Sequence, residues 1–198
     1  EDFECSIHHH ERFSDVIARL RRCGFDVKLI LYLRNQSDYS QSLYLTMLSL
    51  GIVESFGEFV DDILADGLFR WQEWVFQFSY VDLLARLREF RDVEVIVRSY
   101  DAPNGGSLIG DFLSILDLTA ADLGIDEHLR INVRPDVPSA LAQFYANRKG
   151  APPDPVELEC IASTFNRLKD RAIDISSDTR RRIAQRFGLS SPGVRMAC

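Results

Sequence analysis

Residues 28–44 read KLILYLRNQSDYSQSLY, and this stretch decides the fold. A short apolar run, bounded by polar residues, ends abruptly at Arg34. A continuous run of this kind suits a strand buried on both faces of a parallel sheet. Ser37 then offers an N-cap, and Asp38 a first-turn acid that complements the helix dipole. The pattern predicts strand, short turn and helix, with Arg34 at the carboxyl end of the strand. Open parallel sheets bind ligands at that edge. Ser42 follows eight residues after Arg34, inside the new helix. A guanidinium, a hydroxyl and free backbone N–H groups at a helix start can converge on one anion, and the planar fork of Arg suits phosphate. The plainer alternative is that Arg34 solvates the strand end and Ser42 is an incidental helix residue.

Outward from this stretch, Phe13, Val16, Ile17 and Leu20 recur at helical spacing and predict a buried stripe. Arg19, Arg21 and Arg22 occupy the last turn of that helix, and Gly24 suits its C′ position. Ser55 and Glu58 match a capping box ahead of Val60, Ile63 and Leu64. Trp71, Trp74, Phe76 and Phe78 form an aromatic-rich connection, read mainly as core. Residues 80–90 read as a helix and 93–97 as a second strand, ending in Arg98. Two strands each ending in Arg favour an anionic ligand at that edge, although Arg98 can equally pair with Asp101 or Asp111. Asp111 itself reads as an exposed or pairing residue. Ser107 starts a further helix, and 129–133 reads as a short extended piece before Pro135 and Pro138. Helices beginning near Ser139, Val156 and Asp178 complete a helical C-terminal part. Arg180, Arg181, Arg182 and Arg186 form a basic face, read as solvated.

Tyr32-Leu33-Arg34, followed by Asp38-Tyr39 and Ser42-Leu43-Tyr44, resembles the sulfotransferase segment that binds the 3′-phosphate of 3′-phosphoadenosine 5′-phosphosulfate. Looser likenesses follow at residues 78–84, at 95–101, and at Gly110-Asp111-Phe112-Leu113 with Leu116-Asp117-Leu118. Together they cover roughly residues 1–118, and the nearest likeness is the bacterial branch acting on carbohydrates or glycolipids. The resemblance implies an α/β, P-loop-hydrolase-like parallel sheet flanked by helices, with Arg34 and Ser42 as nucleotide anchors. It implies 3′-phosphoadenosine 5′-phosphosulfate as co-substrate, a carbohydrate or glycolipid acceptor, and no metal. It also implies a general base at the end of the first strand, for which Glu1 and His8, with His9 and His10 beside it, are the candidates. Arg148-Lys149-Gly150 is similar to a second phosphate-binding motif of that family, but a basic helix C-terminus explains it equally.

Sulfotransferases hold the 5′-phosphosulfate with a loop and Lys after their first strand. No G-x-x-x-x-G-K-[ST] occurs here. The expectation is therefore one sulfotransferase-like domain over residues 1–198, lacking its N-terminal strand and phosphosulfate loop. A degenerate, non-catalytic binding protein on the same fold is the alternative. A kinase-type enzyme ranks third, without a Walker Lys or a metal-binding constellation.

Composition bounds these readings. The chain has 198 residues, 46% hydrophobic and 27% charged, which is ordinary globular usage. A net charge of −7 argues against general nucleic-acid binding. No apolar run approaches the roughly 20 residues of a membrane helix. Cys5, Cys23, Cys160 and Cys198 are scattered without a C-x-x-C pair, which fits a reducing cytoplasm.

Overall fold

A computed structural model of the chain describes residues 10–90, 93–127, 137–168 and 176–188. The chain divides into two compact units, residues 1–35, 80–133 and 191–198 forming the first, and 36–79 and 134–190 the second. The architecture is mixed α/β, with a small parallel two-stranded sheet and flanking helices.

The first unit contains α1 (His10–Arg22), β1 (Lys28–Leu33), α4 (Tyr80–Leu87), β4 (Glu94–Ser99), α5 (Leu108–Ile115) and α6 (Ala120–Leu123). Strand β1 pairs in parallel with β4, in a register running from Lys28↔Glu94 to Leu33↔Ser99. Phe13 and Ile17 are buried, and the Phe13 ring meets Phe90 edge-on at 5.0 Å. The predicted four-residue stripe of α1 is therefore half right: Val16 and Leu20 are exposed. The strands also differ from the expectation of burial on both faces. Residues 29–33 are only half-buried, because each strand has one neighbour among the described residues rather than two. Helix α1 ends as predicted, with Gly24 at φ 85° and the Phe25 N–H bonded to Leu20 O at 3.1 Å. Glycine alone adopts that left-handed backbone without steric cost.

The second unit contains α2 (Gln36–Ser49), α3 (Phe56–Asp66), β2 (Leu68–Trp71), β3 (Trp74–Gln77), α7 (Val137–Lys149), α8 (Pro155–Leu168) and α9 (Ser177–Phe187). Helix α2 begins at Gln36, so Ser37 lies in its first turn rather than capping it. The capping box of α3 is formed: Ser55 Oγ accepts from Glu58 N, and the Glu58 carboxylate accepts from Ser55 N at 2.7 Å. Gly67 ends α3 in the left-handed region, and its carbonyl accepts from Phe78 N and Ser79 N. That reversal folds the aromatic connection back as a hairpin, β2 against β3, with Phe69↔Phe76 and Trp71↔Trp74 in register.

The core of this unit gathers Tyr44, Met47, Leu48, Ile52, Phe59, Val60, Ile63, Phe69, Phe76, Phe78 and Ile183. As expected, Phe76 and Phe78 are core residues, while Trp71 and Trp74 pack against the core half-buried. Helix α9 adds Ile183 and the Phe187 ring, 6.4 Å from Phe78. Asn147 of α7 donates to Leu48 O and Ile52 O at 2.8 and 2.9 Å, satisfying carbonyls at and just beyond the end of α2. Residues 129–133 lie outside the described residues.

Candidate functional site

The carboxyl end of β1 and β4 carries the polar chemistry of the first unit. Paired residues of a parallel ladder project to the same face, and side chains alternate along each strand. Tyr32 pairs with Arg98, so Tyr32, Arg34, Arg98 and Tyr100 share one face. The ladder continues one step past β4, where Tyr100 N donates to Leu33 O at 2.9 Å. Two tyrosines and two arginines thus alternate across the strand ends, with each arginine diagonal to the other.

Asp111 lies under this face, in the first turn of α5. Ser107 caps that helix by accepting from Gly110 N at 2.9 Å, and the helix N-terminus favours the acid. The Asp111 side chain is fully buried. One oxygen accepts the Tyr32 hydroxyl at 2.5 Å; the other accepts Asn104 N at 3.2 Å and faces Arg98 Nε at 3.8 Å. Asp111 is therefore a pairing residue and not an exposed one, and Arg98 takes Asp111 rather than Asp101.

Asp101 serves Arg34 instead. Its carboxylate accepts Asn35 N at 2.8 Å and lies 3.5 Å from Arg34 Nε. The Arg34 guanidinium sits over the Tyr100 ring, 5.0 Å from its centroid, a favourable cation–π placement. The Tyr80 hydroxyl donates to Arg34 O at 2.6 Å and so fixes the backbone where β1 ends. Both Nε atoms are buried and make no hydrogen bond among the described residues.

The other sequence-predicted residues fall elsewhere. Glu1 and His8, the candidate bases, lie outside the described residues, as does His9. Ser42 belongs to the second unit, on the exposed side of α2. Its carbonyl accepts from Thr46 Oγ1 at 3.2 Å, and its hydroxyl makes no hydrogen bond among the described residues. Arg148 lies over the Phe144 ring and Lys149 pairs with Glu157 at 2.5 Å, so this basic pair is occupied within the second unit. The basic face of α9 is exposed, as expected, and three of its arginines also reach groups on other elements. Arg180 pairs with Asp38 at 3.0 Å, Arg182 with Asp61 at 2.6 Å, and Arg186 Nε donates to Leu64 O at 3.0 Å.

Tyr32 is the residue that sequence reasoning passed over. Its signal was its position two before Arg34, which places both on one face of the strand. The Tyr32 phenol is pushed up to about 12 by burial first, then by its hydrogen bond to Asp111 and that carboxylate's charge, against the opposing Arg98. Tyr44, whose hydroxyl donates to Glu54 O at 3.0 Å, is also pushed up to about 12, by burial and by the charges of Glu54 and Glu58, with Arg148 opposing. A raised phenol means that the folded state keeps its proton longer. The associated stability is complete below the unfolded value near pH 10 and is lost as pH climbs toward 12. Tyrosinate absorbance should therefore show that Tyr32→Phe and Tyr44→Phe each remove one late-titrating phenol. An unchanged high-pH limb in both variants would refute the burial and bonding described for these groups.

Among the described residues, no group of three or more His, Cys, Asp or Glu side chains is placed to hold a metal ion. None of the described helices is long and apolar enough to cross a membrane. Comparison with known proteins gives no match to a family model, to a curated protein or to a solved structure.

Proposed function

We propose that the chain is a sulfotransferase-like nucleotide-binding protein on a P-loop-hydrolase-like scaffold, with Arg34 holding the 3′-phosphate of 3′-phosphoadenosine 5′-phosphosulfate. The observation that carries this reading is the setting of Arg34. It follows a parallel strand and precedes a helix, its guanidinium sits over the Tyr100 ring, and its side chain is a third exposed. Asp101 faces its Nε at 3.5 Å, so the Nη groups of the guanidinium keep donors for an incoming phosphate. The resemblance also implies Ser42 as an anchor and Glu1 or His8 as the base.

The reaction is in-line displacement at sulfur. A hydroxyl or amine of a carbohydrate or glycolipid attacks the sulfuryl group, the bond from sulfur to the bridging phosphate oxygen breaks, and the base takes the acceptor proton. Arg34 does no bond chemistry; it fixes the nucleotide and so aligns the reacting sulfur. Cytoplasmic residence belongs to the same proposal and is supported by Cys23 and Cys160 being free thiols.

One observation favours a non-catalytic binding protein as the second reading. Each arginine of the strand edge already faces a carboxylate, so the four charged groups sum to zero. Calorimetric titration with 3′,5′-diphosphoadenosine tests the nucleotide site common to both readings. Wild type should bind, and Arg34→Ala should bind about tenfold or more weakly, the worth of a charge-assisted contact. Sulfuryl transfer to an acceptor then separates enzyme from binder.

A further inference from the structure

Arg98, like Arg34, stands at the carboxyl end of the parallel pair and faces a carboxylate. We infer that Arg98 and Arg34 form a two-guanidinium clamp on a single phosphoryl group at the carboxyl edge of β1 and β4. The inference rests on the reading that this edge takes a phosphorylated ligand, and it names a further anchor within the first unit.

The two arginines occupy one face, on adjacent strands and two register steps apart, because Arg98 pairs with Tyr32. Strand spacing and rise put such Cα atoms about 8 Å apart, well within the combined reach of two guanidinium groups. Each presents its Nε edge to a carboxylate, Arg34 to Asp101 at 3.5 Å and Arg98 to Asp111 at 3.8 Å. Neither Nε is hydrogen-bonded, although both are buried. The Arg98 guanidinium makes one long hydrogen bond, Nη1 to Val97 O at 3.5 Å. Both Nε atoms are turned to these carboxylates and closed to solvent, so the donors left for a ligand are the Nη groups. A tetrahedral phosphoryl group supplies several oxygens and a matching charge.

The flanking groups assist this geometry. Tyr100 supports Arg34 from below, and Asp111, held by Tyr32 and by Asn104 N, orients Arg98. The Asp111 side chain is fully buried and that of Arg98 is about a third exposed, so the cation, not the acid, reaches solvent. At Arg34 the guanidinium and the Asp101 carboxylate are about equally exposed, so both arginines reach solvent.

Removing Arg98 alone would strand a buried carboxylate, so the test uses Arg98→Ala/Asp111→Asn, which removes both charges, and Arg98→Lys, which keeps the charge but loses the fork. Inorganic pyrophosphate and 3′,5′-diphosphoadenosine are each titrated at low salt, with circular dichroism confirming the fold. The clamp predicts that wild type binds pyrophosphate, that the double variant binds about tenfold or more weakly, and that Arg98→Lys also loses affinity. Wild-type affinity in a folded double variant, or in Arg98→Lys, overturns the clamp while leaving a nucleotide site at Arg34 intact. Pyrophosphate binding that depends on Arg98 without any binding of the nucleotide overturns the nucleotide reading and keeps the clamp. No binding of either probe by wild type overturns both.

Discussion

Phe59→Ala is expected to destabilise the second unit by about 3–5 kcal/mol, the cost of emptying a filled aromatic site in a core. Phe59 is fully buried and sits at the junction of α3 with α2 and the β2–β3 hairpin. Its ring lies 4.5 Å from Phe69, 5.4 Å from Tyr44 and 6.2 Å from Phe56. Three aromatic neighbours cannot collapse into the vacated volume without leaving their own rotamers, so the cavity persists. Urea denaturation followed by tryptophan fluorescence measures this, since Trp71 and Trp74 pack against the same core. The expected loss is a large share of the total stability of a small domain. A loss below about 1 kcal/mol would mean that this side chain is not enclosed as described.

Asp111→Ala is the second large effect, with an expected loss of about 3 kcal/mol. The substitution removes the acceptor of the Tyr32 hydroxyl and of Asn104 N, together with the counter-charge of Arg98. The partial exposure of Arg98 keeps the effect at the lower end of what breaking a buried pair costs. Asp111→Asn is the informative companion. An amide oxygen still accepts one of the two bonds while the charge is gone, so its loss should be clearly smaller. Thermal or urea unfolding of both variants gives the comparison. Equal, small losses would show that Tyr32, Arg98 and Asn104 are satisfied without this carboxylate.

What could be read in the chain beforehand followed from local chemistry. The apolar run to Arg34, the second strand ending at Arg98 and the Ser55–Glu58 box are short-range signals, and the structure forms each of them. The hairpin was hidden because its turn lacks the Asn-Gly or Asp-Gly pair that announces one; Gln72 takes φ 55° in its place. The boundary of α2 lies two residues earlier than a Ser37 cap implies, directly after Asn35, whose N–H is held by Asp101. The partners of Arg34 and Arg98 were not legible either. Asp101 and Asp111 lie close together in sequence, and only the path of the 104–106 turn and α5 assigns one to each arginine. The surface ion pairs of α9 were not legible because their acids, Asp38 and Asp61, are more than a hundred residues earlier. Exposure of Val16 and Leu20 was beyond periodicity, which marks an apolar face without saying how much of it is covered.

The central claim is that Arg34, presented by the end of a parallel strand and backed by Tyr100, is the grip on a nucleotide phosphate. Calorimetric titration of 3′,5′-diphosphoadenosine into wild type and into folded Arg34→Ala measures that grip directly. The account predicts saturable binding by wild type and a loss of about tenfold or more in the variant. Equal affinity in the two proteins, or no binding by wild type, contradicts it.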